Sequence, residues 1–310
     1  MRYDDDESWM ATEVEAVGSG SIDDREEVGW GPGRERGVPF PCQEDITGGR
    51  YLAIVYVDAG EGVICWHKPG RRDVESRISA SGKLRLLVDK GTGEIVETDF
   101  VESADERERK NLLRADRRAR HEARLYCVRN RLSKMWTLTL AEIIPKEEVK
   151  KHVNRLMRQW RDLNGGKEFP YLYVLELHAD GERWHVHVAV PKGYTDKRRL
   201  QALWSLGIIR FDDSPWASRR GISGRERARR LAAYLCKYIS KGMGDSHVAR
   251  EHRYERAQGF AVERVRRAFA MQDNAEAWLM DWGNETWRLA WSSNEIDGWD
   301  APPVWGYLSG

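Results

Sequence analysis

Histidine is scarce in this chain, eight in 310 residues, yet His185 and His187 flank a single valine in the run "WHVHVAV" (184–190). Side chains two apart on a strand share a face. Both imidazoles therefore project together, while Val186, Val188 and Val190 project into a core. Imidazole nitrogens are good ligands for divalent metals. The preceding run, "YLYVLELHAD" (171–180), sets Glu176 and His178 on one of its own faces, and Asp180-Gly181 is a strong hairpin signal. With a two-residue turn there, residue i faces residue 361−i, so Glu176 lies opposite His185 and His187 is its diagonal neighbour. A four-residue turn instead pairs Glu176 with His187 and His178 with His185. Either register gathers a carboxylate and two or three imidazoles on one face, whereas an odd-length loop without a bulge turns Glu176 away. This donor set alone leaves the chemistry open, because it suits non-haem iron in oxygenases and, with further ligands, hydrolytic zinc.

A second group narrows the choice. In "RRLAAYLCKYISKG" (229–242), Tyr234, Lys237, Tyr238 and Lys241 stand at i, i+3, i+4 and i+7. On a helix they form one stripe. Leu231, Leu235 and Ile239, with Ala232, form another that should pack on a sheet. A phenol has a pKa near 10 and is a poor nucleophile at neutral pH. A neighbouring lysine stabilises the phenolate or holds a phosphate beside it. A divalent metal stabilises charge on a phosphoryl group, and tyrosine can form covalent intermediates. Metal, tyrosine and lysine together are what attack on a phosphodiester requires.

The elements that must position these groups are legible in outline. Ser103 with Glu106 fits a capping box opening a long basic helix over 103–131. A strand follows at 134–140. Pro145 opens a helix that stops at "NGG" (164–166). Then come strands at 171–178 and 184–190, a helix from Asp196, a short strand near 208–212 and a helix over 225–241. The order β-α-β-β-α-β-α predicts an α+β fold, an antiparallel sheet with helices mainly on one face. Upstream, residues 1–49 are acidic and Gly-rich and read as disordered. Residues 50–101 read as a small β-module of two strand pairs around Gly-containing turns. The segment 102–132 is the basic linking helix, 133–260 the domain holding the candidate site, and 261–310 a Trp-rich acidic segment.

The net charge of +1 conceals segregation. Residues 1–50 carry 5 Lys+Arg against 13 Asp+Glu, residues 101–270 carry 38 against 22, and residues 271–310 carry 1 against 7. A basic middle between acidic ends suits a polyanion-binding body. The arginine-dense runs near the site make Arg219, Arg220, Arg225 and Arg227 the candidate DNA contacts. No stretch of about 18 apolar residues offers a membrane span, and the acidic N-terminus does not read as a secretory signal. The four scattered cysteines form no C-x-x-C pair and imply reduced thiols in a cytosol. There is no P-loop, hence no visible ATPase motor. Six of the 14 tryptophans lie in 278–310. They are expected to be buried against the body of the protein rather than to stack on bases.

Three stretches in order resemble the HUH endonucleases, in particular the two-tyrosine rolling-circle replication initiators of plasmids and small phages. "WTLTL" (136–140) is similar to their first motif, "HVHVAV" (185–190) to their histidine–hydrophobic–histidine motif, and "YLCKYISK" (234–241) to their tyrosine motif. The resemblance covers about residues 130–260, and this chain adds residues 1–101 and a tail to the compact family core. It implies an RRM-like/ferredoxin-like antiparallel sheet. It also implies that His185, His187 and Glu176, with His178 as an alternate, hold Mg²⁺ or Mn²⁺. Tyr234 or Tyr238 would then attack single-stranded origin DNA, leaving a 5′-phosphotyrosine and a free 3′-hydroxyl primer. A second tyrosine would permit a second cut after a full circle. Lys237 and Lys241 would assist, and a separate helicase and a DNA polymerase would be partners. A transposase or relaxase of the same mechanism and a non-catalytic nucleic-acid-binding module on the same fold are the alternatives. A metal oxygenase leaves the tyrosine helix without a role.

Overall fold

The computed structural model describes residues 51–66, 74–100, 103–178, 181–212, 222–241, 254–282, 286–295 and 303–309. They fall into two units. One comprises Tyr56–Glu61 with Asp116–Val265, the other Met1–Val55, Gly62–Ala115 and Arg266–Gly310. The stretch 1–49, read as disordered, lies outside the described residues.

The first unit is built on strands β6 (Leu132–Leu140), β7 (Leu172–Leu177), β8 (Trp184–Pro191), β9 (Gly207–Asp212) and β10 (Glu255–Arg256), in the sheet order β10-β7-β8-β6-β9. Every neighbouring pair is antiparallel. Helix α2 (Lys146–Leu163) connects β6 to β7, and α3 (Lys197–Leu203) connects β8 to β9. This mixed architecture is consistent with an RRM/ferredoxin-like arrangement. Strand alternation divides the sheet into two faces. Trp136, Leu138, Val186, Val188 and Tyr173 point to one, where they meet Val149, Val153, Leu156 and Trp160 of α2 and Leu200 of α3. Met135, Leu172, Val174 and Ala189 point to the other. There they meet Ala123, Tyr126 and Cys127 of α1 (Ala104–Arg129) and Leu231, Ala232, Leu235 and Ile239 of α4 (Gly224–Lys241). The crossover helices thus share one face, and the helix bearing the two tyrosines covers the opposite one.

Local chemistry explains the boundaries. Ser103 Oγ accepts from the Glu106 N–H at 3.1 Å, Ser223 Oγ from the Glu226 N–H at 3.1 Å, and Asp196 Oδ1 from the Arg199 N–H at 3.1 Å. Each satisfies a donor that a helix start leaves unpaired. After α2 the chain turns through Gly165 and Gly166 at φ 77° and 73°, a conformation costly for residues with a Cβ.

In the second unit, β1 (Tyr51–Tyr56), β2 (Glu61–Trp66), β11 (Arg264–Phe269), β12 (Trp287–Ser292) and β13 (Val304–Ser309) form one sheet in the order β11-β1-β2-β13-β12. A separate three-stranded sheet is made of β3 (Val74–Ile78), β4 (Leu84–Asp89) and β5 (Ile95–Phe100). The two strand pairs of 50–101 therefore enter different sheets, one of them completed by the C-terminal segment. Trp278 of α5 (Gln272–Asp281), Trp287 and Trp291 are buried here. A Cβ on Gly306 would lie 2.0 Å from the Trp291 indole nitrogen, so the ring covers a position only glycine can occupy.

Candidate active site

The hairpin of β7 and β8 takes the first of the two registers considered. Glu176 pairs with His185, Val174 with His187, and Leu177 with Trp184. The His178 N–H donates to the Arg183 carbonyl at 2.7 Å, and the Gly181 N–H to the His178 carbonyl at 2.9 Å. On the other side of β8, Thr137 pairs with His187 and Thr139 with His185. Glu176, His185, His187, Thr137 and Thr139 consequently share the face covered by α1 and α4.

His187 is the most enclosed of the histidines on that face, at 5% exposure. Its Nε2 lies 2.9 Å from Glu176 Oε2 and its Nδ1 3.3 Å from Thr137 Oγ1. With Nε2–H donating to the carboxylate, Nδ1 accepts from the threonine hydroxyl, so both ring nitrogens are oriented. The role of Thr137 was not evident in the sequence beyond its place in "WTLTL". His185 is half-exposed, and its ring stands 4.8 Å from His178 and 6.5 Å from His187, both edge-on. Burial, then the neighbouring His178 and His187, lower its pKa from the ordinary imidazole value. Glu176 opposes that shift and Arg210 adds to it. The result favours the neutral, metal-ligating form.

The tyrosine helix meets this cluster directly. The Tyr238 ring stacks on His187 with centroids 4.1 Å apart and planes 18° from parallel. Tyr234 lies edge-on to Tyr238 at 5.1 Å, and the Tyr238 hydroxyl donates to the Tyr234 hydroxyl. Lys237 Nζ stands 6.0 Å from the centre of the Tyr234 ring. These contacts follow from the two stripes on the helix: Leu231, Leu235 and Ile239 enter the core, which turns the phenols toward the histidine strand.

A buried ion cluster anchors the same helix nearer its start. Glu61, 4% exposed, bonds Arg124 of α1 and lies 3.4 Å from Nε of Arg229 on α4. Arg229 also donates to the Gly60 carbonyl at 3.2 Å. Arg124 Nη2 is 3.5 Å from His121 Nδ1, and His121 Nε2 is 3.1 Å from the Tyr56 hydroxyl. Burial alone would raise the Glu61 pKa. The opposing fields of Arg124 and Arg229, with the Arg124 hydrogen bond, outweigh it and hold the carboxyl below the ordinary range.

Whether a divalent cation suits this donor set can be judged from spacing. Cis ligands at about 2.1 Å in an octahedral Mg²⁺ shell lie about 3 Å apart. The 2.9 Å between His187 Nε2 and Glu176 Oε2 matches one such edge. Among the described residues, no group of three His, Cys, Asp or Glu side chains is arranged to hold a metal ion. The donor chemistry fits, with two of the donors at ligating separation.

The other sequence-derived candidates are placed differently. Arg225 and Arg227 are half-buried near the start of α4, and the helical rise sets them about 10–14 Å from Tyr234 along the axis. Arg219, Arg220 and the Lys241 side chain lie outside the described residues. The face holds one further cation that the sequence did not single out. Arg210 of β9 pairs with Thr137, the neighbour of His187. Its position needed the register of three strands. None of the described helices is long and apolar enough to cross a membrane.

Residues 133–243 match a family of replication-associated proteins, the ORF2 type. No curated protein and no solved structure matches the chain.

Proposed function

From the match over residues 133–243, which supports an HUH-type Rep assignment, we propose that this protein is a replication initiator that nicks and rejoins single-stranded origin DNA. The observation that carries the reading is the Tyr238 ring lying 4.1 Å over His187, with its hydroxyl bonded to that of Tyr234. Two phenols and a set of metal-ligand side chains thereby border one space.

His185, His187 and Glu176, with His178 as the alternate, would hold Mg²⁺ or Mn²⁺, which supplies charge neutralisation on the phosphoryl oxygens. Thr137 fixes the His187 ring through Nδ1, as partners beyond the ligands commonly do. Tyr234 or Tyr238 attacks the scissile phosphorus. The new bond joins the phenolic oxygen to phosphorus, and the bond from phosphorus to the 3′-oxygen breaks. The phenol gives its proton to solvent and the 3′-oxygen takes one up, leaving a 5′-phosphotyrosine and a 3′-hydroxyl primer. One phosphoester replaces another, so the reverse step reseals the strand without ATP. The bond between the two hydroxyls lets either phenol stabilise the other's phenolate, and Lys237 adds positive charge beside Tyr234. A separate helicase and a DNA polymerase complete the process.

The decisive experiment incubates the full chain with single-stranded origin DNA and Mn²⁺ and looks for an adduct that survives denaturant. The adduct is expected with the wild type and absent from the Tyr234→Phe/Tyr238→Phe double variant or in the presence of EDTA. An adduct that persists in the double variant would remove both tyrosines as nucleophiles.

A further inference from the structure

The face that carries the histidines changes character across the sheet. Under α1 and α4, Met135, Leu172, Val174 and Ala189 are fully buried. Toward β9 the same face opens. Thr139 and His185 are half-exposed, Arg210 is exposed, and Ile208 is 60% exposed. The strand registers line these residues up in two rows. One runs Ile208, Thr139, His185, Glu176, and the next runs Arg210, Thr137, His187. Two strand spacings, about 10 Å, separate the β9 residues from the histidines. Ile208 and Arg210 themselves stand about 7 Å apart on one side of their strand.

Strand β9 is held in this register from its outer side. The Gln201 side-chain amide of α3 donates to the Gly207 carbonyl at 2.9 Å and accepts from the Ile209 N–H at 2.9 Å. It occupies the backbone groups that a further strand would use, which disfavours extension of the sheet by a partner peptide there. What this edge offers is its face: one large apolar side chain and one guanidinium, two residues apart. A nucleotide presents one flat apolar ring and one anion per unit. Base–apolar packing combined with a cation on the backbone is how single strands are held without reading sequence.

We propose that Ile208 and Arg210 form a lane for the single strand leading into the histidine–tyrosine cluster, Arg210 holding a phosphate and Ile208 packing against a base. The proposal rests on single-stranded DNA being the substrate; it adds the route by which the strand reaches the site.

The test uses the full chain in the Tyr234→Phe/Tyr238→Phe background, with EDTA, so that binding is read apart from cleavage. A fluorescent single-stranded oligonucleotide is titrated by anisotropy across a salt series. Arg210→Gln is expected to weaken binding roughly three- to tenfold and to flatten the log–log salt slope by about 0.7, the value for one phosphate contact on a single strand. Arg210→Lys should keep the slope. Ile208→Ser should weaken binding without changing the slope. Both side chains are exposed, so the urea midpoint of each variant should equal that of the parent. Unchanged affinity and slope in Arg210→Gln would overturn the lane, as would a parent that binds no oligonucleotide. The adduct assay is scored separately. A wild type that forms no adduct, alongside an Arg210→Gln variant with the flattened slope, leaves the lane standing and removes the nicking reading. An adduct alongside an unaffected Arg210→Gln variant does the reverse.

Discussion

The tyrosine helix is fastened at two places by opposite kinds of chemistry. Near its start, Arg229 enters a cluster in which Glu61 meets two guanidinium groups out of contact with solvent. Nearer its end, Tyr238 lies against His187 on a face that opens to solvent within one strand pair. In the first cluster each polar group is committed to a fixed protein partner. In the second, the side chains bond one another through atoms that a substrate or cation could also take: two phenol oxygens, a carboxylate oxygen and an imidazole nitrogen. Compensated charge that is buried fixes an element, while exchangeable contacts at an opening are suited to act on a ligand.

The largest effect should come from breaking the buried cluster. Glu61→Ala leaves Arg124 and Arg229 facing each other without a counter-charge, and removing one partner of a buried ion pair costs about 3–5 kcal/mol. Urea unfolding of the full chain should register that loss. Glu176→Gln, at the open site, is expected to cost less than about 1 kcal/mol, since both forms of the side chain can accept from His187. Equal losses in the two variants would erase the distinction between the clusters.

Acid sharpens the same contrast. The Glu61 pKa is lowered in the folded chain, so the folded state binds its proton less readily than the unfolded one. The resulting stability is present above the ordinary carboxylate value of 4.5 and is lost as pH falls through the lower folded value. Stability measured from pH 7 downward should fall less steeply below that value in Glu61→Gln than in wild type. Parallel pH profiles would show that Glu61 does not supply this dependence.

A smaller effect is expected at the edge strand. A Cβ on Gly207 would stand 2.0 Å from the Thr139 carbonyl oxygen, so Gly207→Ala must push β9 away from β6. Overpacking of this sort costs about 1–3 kcal/mol. Because Thr139 faces Ile208 in the register, the shift should also weaken binding of a single-stranded oligonucleotide. Wild-type stability together with wild-type binding would show that β9 does not need this close approach.

Much of this arrangement is local and therefore readable in a sequence. The caps at Ser103 and Asp196, the stop at 164–166 and the alternation of His185 with His187 depend on neighbours a few residues away. So does the opposition of Glu176 and His185 across a short turn. The anchoring cluster could not be read in the same way. Glu61 and Arg229 are 168 positions apart, and no periodicity links a carboxylate at the start of one strand to an arginine on a distant helix. Arg210 sits in "GIIRFD", where the alternation Ile208, Arg210, Asp212 against Ile209, Phe211 tells which residues share a face. Which of those faces meets the histidines depends on β9 pairing with β6, and β6 with β8. The strands of 50–101 likewise looked like one module because hairpin signals are local, while the partners β11 and β13 of the first pair lie some 200 residues on.

The smallest change in stability should follow from Thr137→Val. The side chain is 9% exposed and its hydroxyl lies 3.3 Å from His187 Nδ1. Valine keeps the branched shape, so the loss should be about 0.5–1.5 kcal/mol, the net worth of one hydrogen bond. The consequence for the ring is larger than that figure suggests. Without the hydroxyl, Nδ1 loses the partner that holds the imidazole in one tautomer, while Glu176 still engages Nε2. Proton–nitrogen spectra of the ¹⁵N-histidine-labelled protein should then show His187 shifting from a single Nε2–H form toward a mixture, with little change in the unfolding midpoint. Removing the partner of a ligating histidine typically costs 10- to 100-fold in metal affinity. Adduct formation should accordingly require more Mn²⁺ in the variant and approach the wild-type rate when the ion is in excess. A variant whose His187 spectrum and Mn²⁺ requirement both match wild type would show that Thr137 merely fills the sheet. The first of the three sequence motifs would then be a packing feature, and the orientation of His187 would rest on Glu176 and Tyr238 alone.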